Sequence, residues 1–430
     1  MSVRLPRRAT MNSGGETAGD RAWVRLKFST WRLDDNVICQ AQAFQFCLCR
    51  AVKNETHVSL QSTKASGMLA ASRYRVTFIA KETLDLPSYL GSTLRGAFGY
   101  AFRAIGCPAP HGGPCPIPSQ CPYHLIFETS PPPGSEALRT HEEIPRPFVI
   151  TPALIRADTG RNTAEPNQQG VCGAWPAQML SHPGRQQFNP GDEVSFELIL
   201  IGHAQEFFPY FVVALREVDR IGRGRRTVEL QRIEALSSFP PPLFDMGEGQ
   251  GGGVSSEARI VYDAADNLVR GAADRVTLEE CAALPLPQGP LTIEFLTQTR
   301  LKHEGRFIRH PGFQAVFRRL LGRLSSLARF HCGAPLEADF RGLIEQAASI
   351  GLAQDGTQWT RWQRYSSRQD RHMEWEGIIG CATYQGDFTP FWKFLKFGEL
   401  VHVGHGATFG LGKYRVVGTE SAHHGHQSER

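Results

Sequence analysis

Twice along this 430-residue chain the apolar pattern runs strand, helix, strand, strand, helix, strand, each time with a glycine-bearing turn between the second helix and the fourth strand. That order constrains the fold more than any composition figure. The first pass opens at Ser72–Ile79, where Tyr74, Val76 and Phe78 alternate with Arg75, Thr77 and Ile79, a half-buried strand signature. Tyr89, Leu90, Leu94, Ala97, Phe98, Ala101, Phe102 and Ile105 then recur at helical spacing. A cysteine-bearing insertion follows, then a strand at Arg146–Thr151, a strand at Val194–Ile201, a helix over His203–Arg220, the turn I-G-R-G-R-R and a strand at Thr227–Ile233. The second pass runs from a strand at Thr292–Thr297 through helices over Pro311–Phe330 and Leu336–Gly351. Strands at Trp359–Tyr365 and Met373–Tyr384, a helix over Phe388–Phe397 and a last strand at Arg415–Val417 complete it. The fold class this order predicts is α+β, two tandem ferredoxin-like (βαββαβ) domains, with their open sheet faces forming a cleft.

The predicted organisation is a leader at 1–67, disordered or an over-extended start, and an N-terminal domain at 68–246 carrying the insertion 107–128. A linker or hairpin region at 247–290, a C-terminal domain at 291–418 and a histidine-containing tail at 419–430 follow. No apolar run reaches the ~20 residues of a membrane helix, and the start lacks the apolar segment of a secretory signal. Ten cysteines without such a signal predict a reducing, cytoplasmic setting, with thiols or metal rather than disulfides. The net charge of +5 is compatible with nucleic acid, and only eight of the 47 basic residues are lysine. Arginine suits bidentate phosphate contacts, although a GC-rich genome produces the same skew.

A glycine-dense loop lies at Val403–Tyr414, V-G-H-G-A-T-F-G-L-G-K-Y. Glycines let main-chain N–H groups approach a phosphate closely, so Gly404, Gly406, Gly410, Gly412 and Lys413 are candidate ligands. Neither the P-loop nor the dinucleotide spacing fits: Ala407 and Phe409 stand where those motifs require glycine.

Together with this loop, L-G-S-T-L-R-G-A-F-G (90–99), C-P-Y-H-L-I-F-E (121–128), P-R-P-F-V-I-T-P (145–152), T-R-L-K (299–302) and W-Q-R-Y-S-S-R-Q (362–369) make the chain, over 68–418, resemble a CRISPR-associated family. It is the RAMP-superfamily endoribonuclease that cuts repeat RNA, the sixth of the numbered Cas proteins, in its branch with a cysteine-bearing insertion. The resemblance implies binding of precursor CRISPR RNA and metal-independent cleavage within each repeat, and makes CRISPR effector subunits further expected partners. Neither a membrane nor a nucleotide cofactor is expected. The rival expectation is a RAMP subunit that binds guide RNA without cutting it.

Such cleavage calls for a base, an acid and cations near the scissile phosphate. The family often places a histidine near the first helix, but the link from Lys81 to Tyr100 has none. The acid–base candidates are therefore His303, His405, His402 and Tyr89. The RNA-binding candidates besides the glycine loop are Arg95, Arg223, Arg225, Arg300, Lys302, Arg364, Tyr365, Arg368 and Gln369. No cofactor is expected for catalysis. Cys107, Cys115 and Cys121, whose C-x7-C-x5-C run lacks a fourth cysteine, either hold a structural zinc or are three unbound thiols. His111, four residues before Cys115, is the first choice to complete it, ahead of His124 and the remote Cys172.

Overall fold

A computed structural model describes residues 3–4, 68–87, 89–110, 113–129, 144–152, 185–222, 224–236, 258–303, 305–366 and 371–418. The first unit comprises β1 (Ala70–Ala80), β2 (Leu84–Pro87), α1 (Gly91–Gly106), α2 (Pro122–Phe127), β3 (Phe148–Pro152), β4 (Arg185–Phe188), β5 (Glu193–Ile201), α3 (Phe208–Arg216) and β6 (Arg226–Ala235). Its strands lie in the order β6-β1-β5-β3, all antiparallel. The second unit comprises β8 (Leu291–Thr299), a small hairpin of β9 (Lys302–His303) and β10 (Arg306–Phe307), α4 (Phe313–His331), α5 (Phe340–Ala347), β11 (Gly351–Ser366), β12 (Arg371–Gln385), α6 (Trp392–Val401) and β13 (Tyr414–Gly418). Its sheet runs β11-β12-β8-β13. Counting only the four core strands, both orders read 4-1-3-2, the ferredoxin-like arrangement expected from the element order.

The periodicities act as predicted. Leu94, Phe98, Ala101 and Phe102 of α1 and Phe211, Val212 and Leu215 of α3 bury against Tyr74, Val76 and Phe78 of β1. Helix α4 buries Phe313, Val316, Phe317, Leu320, Leu324 and Leu327 on one stripe. The expected helix over 203–220 is instead a 3₁₀ turn, Gly202–Phe207, followed by α3, because Pro209 stands at the start of α3 and cannot donate to a preceding turn. The expected helix over 336–351 shrinks to α5, started by Asp339, whose side chain accepts from Gly342 N at 3.0 Å.

Part of the expected linker at 247–290 is sheet and helix. A strand β7 (Arg259–Asp263) pairs with β6, and Val276 and Thr277 pair with Ala71 and Ala70. A one-turn helix, Leu278–Ala282, follows with a full Thr277/Glu280 capping box. Val3 and Arg4 pair with Val269 and Leu268. The glycine run 247–253, the rest of the expected leader and the tail 419–430 lie outside the described residues.

The two sheets do not face each other across an open cleft. The back of the first sheet, at Ala71, Val149, Ile199 and Ile201, joins the core of the second unit formed by Leu324, Leu327, Phe394 and Phe397. The first sheet is thus covered on both faces, one by its own helices and one by α4 and α6. The other face of the second sheet is polar, with Arg415 Nε donating to Glu294 at 2.9 Å and Thr292 bonded to Thr383.

Candidate nucleic-acid interface

The glycine loop closes the seam between the units. Gly404, Gly406, Gly410 and Gly412 all have φ between +70° and +86°, where an L side chain is strained. A Cβ on Gly404 would come within 2.5 Å of Arg300 O, and one on Gly410 within 2.7 Å of Ile150 O; one on Gly412 would collide with Val403 O. The loop amides are engaged within the protein. His405 N donates to Arg300 O at 3.2 Å, Gly412 N to Gln298 O at 3.0 Å, and Gly410 N to Ala407 O at 2.8 Å. The Thr297 hydroxyl donates to Gly410 O and accepts from Lys413 N, both at 2.9 Å. The expectation of a bare phosphate nest is therefore corrected at Gly410 and Gly412, whose amides are bonded within the protein and whose Cα atoms lie against backbone.

The same loop latches onto the start of α1. Tyr89 donates its hydroxyl proton to Phe409 O at 2.7 Å, and a side chain at Gly91 would collide with that carbonyl. The Arg95 guanidinium lies over the Phe409 ring at 4.6 Å and the Phe127 ring at 5.7 Å. Trp375 meets Tyr89 at 5.9 Å and Phe409 at 5.4 Å between ring centroids. Burial pushes the Tyr89 hydroxyl well above the usual tyrosine range. A phenol that is 8% exposed and hydrogen-bonded across the seam is an anchor, which corrects its assignment as an acid–base candidate.

His402 is corrected likewise. It is fully buried with φ +64°, and its ring nitrogens meet Leu411 O at 3.1 Å and Thr151 Oγ1 at 3.3 Å. Burial, with Lys413 and Arg323 nearby, drives its pKa well below the usual histidine range. It is a neutral pin between the units. Lys413, 23% exposed, faces Glu197 of the first unit at 3.6 Å, and Arg73 faces the same carboxylate at 3.3 Å. Burial alone would raise the Glu197 pKa, but the charges of Lys413, Arg73 and Arg75 hold it below the ordinary value. An ionised glutamate thus occupies the seam where a phosphate-binding lysine was expected.

Two other expected residues, Arg300 and His405, meet beside the small β9–β10 hairpin. The segment after β8 carries Arg300 and Lys302, and β9 pairs His303 with Arg306 of β10. Arg300 stacks on Phe307 of β10 at 3.9 Å and faces Glu376 at 3.7 Å, with about a third of its side chain exposed. His405, exposed, meets Phe307 edge-on at 6.3 Å and is tied through its amide to Arg300. Arg319 of α4 donates to Lys302 O, and Arg306 and Arg318 are exposed. Sequence reasoning did not single out Phe307; the E-G turn at 304–305 was the available signal for a hairpin that would carry it.

The remaining candidates are dispersed. Arg225 is exposed, at φ +49°, on the turn before β6. Arg364 and Tyr365 lie in β11, opposite Met373 and His372. There the β11–β12 hairpin continues past β8 for seven pairs, Thr360↔Gly377 to Ser366↔Arg371. Arg223, Arg368, Gln369 and His111 lie outside the described residues.

In the insertion, the ligand atoms of Cys107, Cys115, Cys121 and His124 all lie within 4.8 Å of one another. Metal–thiolate bonds of ~2.3 Å give a tetrahedron edge of ~3.8 Å, so three thiols and an imidazole at this spacing fit a metal ion. His124 is the fourth member of the described cluster; His111, the first choice, lies outside the described residues.

These features define a tandem ferredoxin-like protein with a latched seam, a cation-bearing hairpin and a Cys₃His cluster. Residues 293–414 match the family model of the CRISPR-associated endoribonuclease Cas6, and residues 69–251 match that of the AF_1859_N N-terminal domain. The second unit thus carries a Cas6-family domain. Similar solved structures include Thermus thermophilus Cas6 (14% identity, TM-score 0.42, 81% of this chain and 98% of that one) and a Cas6-RT-Cas1–Cas2 complex (14%, 0.42, 81% and 46%). A Cas6-related Pyrococcus furiosus protein is also similar (11%, 0.39, 81% and 100%). No curated protein matches in sequence. Among the described residues, no helix is long and apolar enough to cross a membrane.

Proposed function

We propose that the chain binds CRISPR repeat RNA and cleaves it without a metal ion. The ribose 2′-OH attacks the adjacent phosphate, the O2′–P bond forms and the P–O5′ bond breaks. A base takes the 2′ proton and an acid protonates the leaving 5′ oxygen, which leaves a 5′-OH and a 2′,3′-cyclic phosphate; the latter becomes a 3′-phosphate if water then breaks the O2′–P bond. The observation that carries this reading is the meeting of Arg300 and exposed His405 at Phe307, beside the β9–β10 hairpin of a Cas6-family domain. Arg300, held flat by Phe307, suits the charge that develops on the phosphorane; His405 and His303 are the acid–base candidates. Arg364 and Tyr365, toward the end of the long hairpin, and Arg368, Gln369, Arg223 and Arg225 are read as further RNA contacts. The cysteine cluster is read as a structural zinc site, and other CRISPR proteins as further partners.

The burial of Tyr89 and His402, two of the four acid–base candidates, favours the second reading, a RAMP subunit that holds guide RNA without cutting. Incubation with repeat RNA in EDTA separates the two. The cleavage reading expects site-specific scission abolished by a 2′-deoxy nucleotide at the cut; tight binding with intact RNA supports the scaffold.

A further inference from the structure

The cysteine cluster lies at one end of a physical chain that finishes in the glycine loop of the other unit. Cys107 directly follows α1, Cys121 directly precedes α2, and His124 sits inside α2. Helix α2 has only six residues, and no side chain caps its start. A helix that short does not persist by itself, so its position depends on what holds it. Its last residue, Phe127, packs on Phe148 at 4.8 Å and Phe98 at 5.4 Å. The Phe127 ring forms one wall of the slot that holds Arg95, and Phe409 of the glycine loop forms the other.

His124 is also prepared as a ligand. Glu128, one turn later, lies 3.6 Å from its Nδ1, and Arg103 of α1 lies 3.9 Å from the same carboxylate. A carboxylate beside the imidazole can orient the ring for a metal, as carboxylate–histidine pairs do at metal centres.

We propose that Cys107, Cys115, Cys121 and His124 bind one zinc ion, with Glu128 orienting His124, and that this ion controls how firmly the glycine loop is held on the first unit. The inference rests on reading the cluster as a zinc site. Zinc fixes α2, α2 fixes Phe127, and Phe127 with Arg95 fixes Phe409.

The test uses full-length protein purified without a tag and involves no RNA, so its outcome is independent of the cleavage reading. Elemental analysis is expected to give about one zinc per chain. Cobalt substitution is expected to give a thiolate charge-transfer band, which the tail histidines cannot produce. Glu128→Gln is expected to weaken zinc binding ~10–100-fold, and His124→Ala by more. On zinc removal, amide exchange at 404–412 is expected to accelerate at least tenfold. In Phe127→Ala, which keeps its zinc, the loop is expected to exchange fast with or without metal. If stripping unfolds the chain, the comparison is between His124→Ala and His124→Cys in excess zinc, with fast loop exchange expected in the first and slow in the second. Less than ~0.2 equivalents of zinc with freely titrating thiols, unchanged affinity in His124→Ala, or loop exchange indifferent to the metal overturns the proposal.

Discussion

Single side chains divide here into those that hold the units together and those turned toward solvent. Gly412 belongs to the first set: its φ is +70° and an added methyl would strike the Val403 carbonyl. Gly412→Ala should cost ~1–3 kcal/mol or more, since strain in this region is of that order before the collision is added, and a lowered urea midpoint at unchanged slope would register it. Arg300 belongs to the second set. Arg300→Ala should weaken RNA affinity similarly for different sequences and reduce the slope of log affinity against log salt by about one. An unchanged slope in a salt titration would remove Arg300 from the phosphate contacts. At this scale sequence reading succeeded where chemistry is local. The three cysteines of the insertion lie in one group, and Arg300 and His405 meet at Phe307. It failed where burial decides, because nothing in V-H-V or P-S-Y shows that His402 and Tyr89 end in a seam between distant segments.

At the level of elements, both passes of strand and helix were legible because alternation and helical stripes survive in one sequence. The latch was not, because it joins Tyr89 to Phe409 across 320 residues. The long β11–β12 hairpin was underestimated, since its exposed start at 351–358 lacks apolar alternation. That hairpin outruns its sheet and carries Arg364 toward its end. Replacing 364–371 with a short glycine–serine turn should leave the thermal midpoint within a few degrees and weaken repeat-RNA binding at least tenfold. Equal affinity on a filter-binding assay would make the hairpin a structural extension only.

Across the whole molecule, the buried interface makes stability depend on pH. His331 of α4 reaches Pro145 O of the first unit at 2.5 Å, and its ring lies 5.1 Å from that of His203. Burial, with His203, Arg323 and Arg146 near, pushes the His331 pKa down to about 3; burial also lowers those of His203 and His402. Below ~6.5 the unfolded chain takes up protons that the folded chain refuses, so stability falls as pH drops from ~6.5 toward 3. His331 contributes a slope of up to ~1.4 kcal/mol per pH unit inside that window, and His203 and His402 act in the same direction. Urea midpoints measured from pH 7 to pH 4 should therefore fall steeply, and His331→Gln should flatten the fall. A parallel curve in the variant would show that His331 titrates normally.

The expectation of an open groove between two sheet faces gives way to a packed seam, and the account now places RNA chemistry on the hairpin face of the second unit. Single-turnover cleavage of repeat RNA in EDTA, comparing the native chain with the Arg300→Ala/His405→Ala double variant, tests that placement. The account predicts a rate at least ~10²-fold slower in the variant with the same cut position; rates within twofold of each other would contradict it.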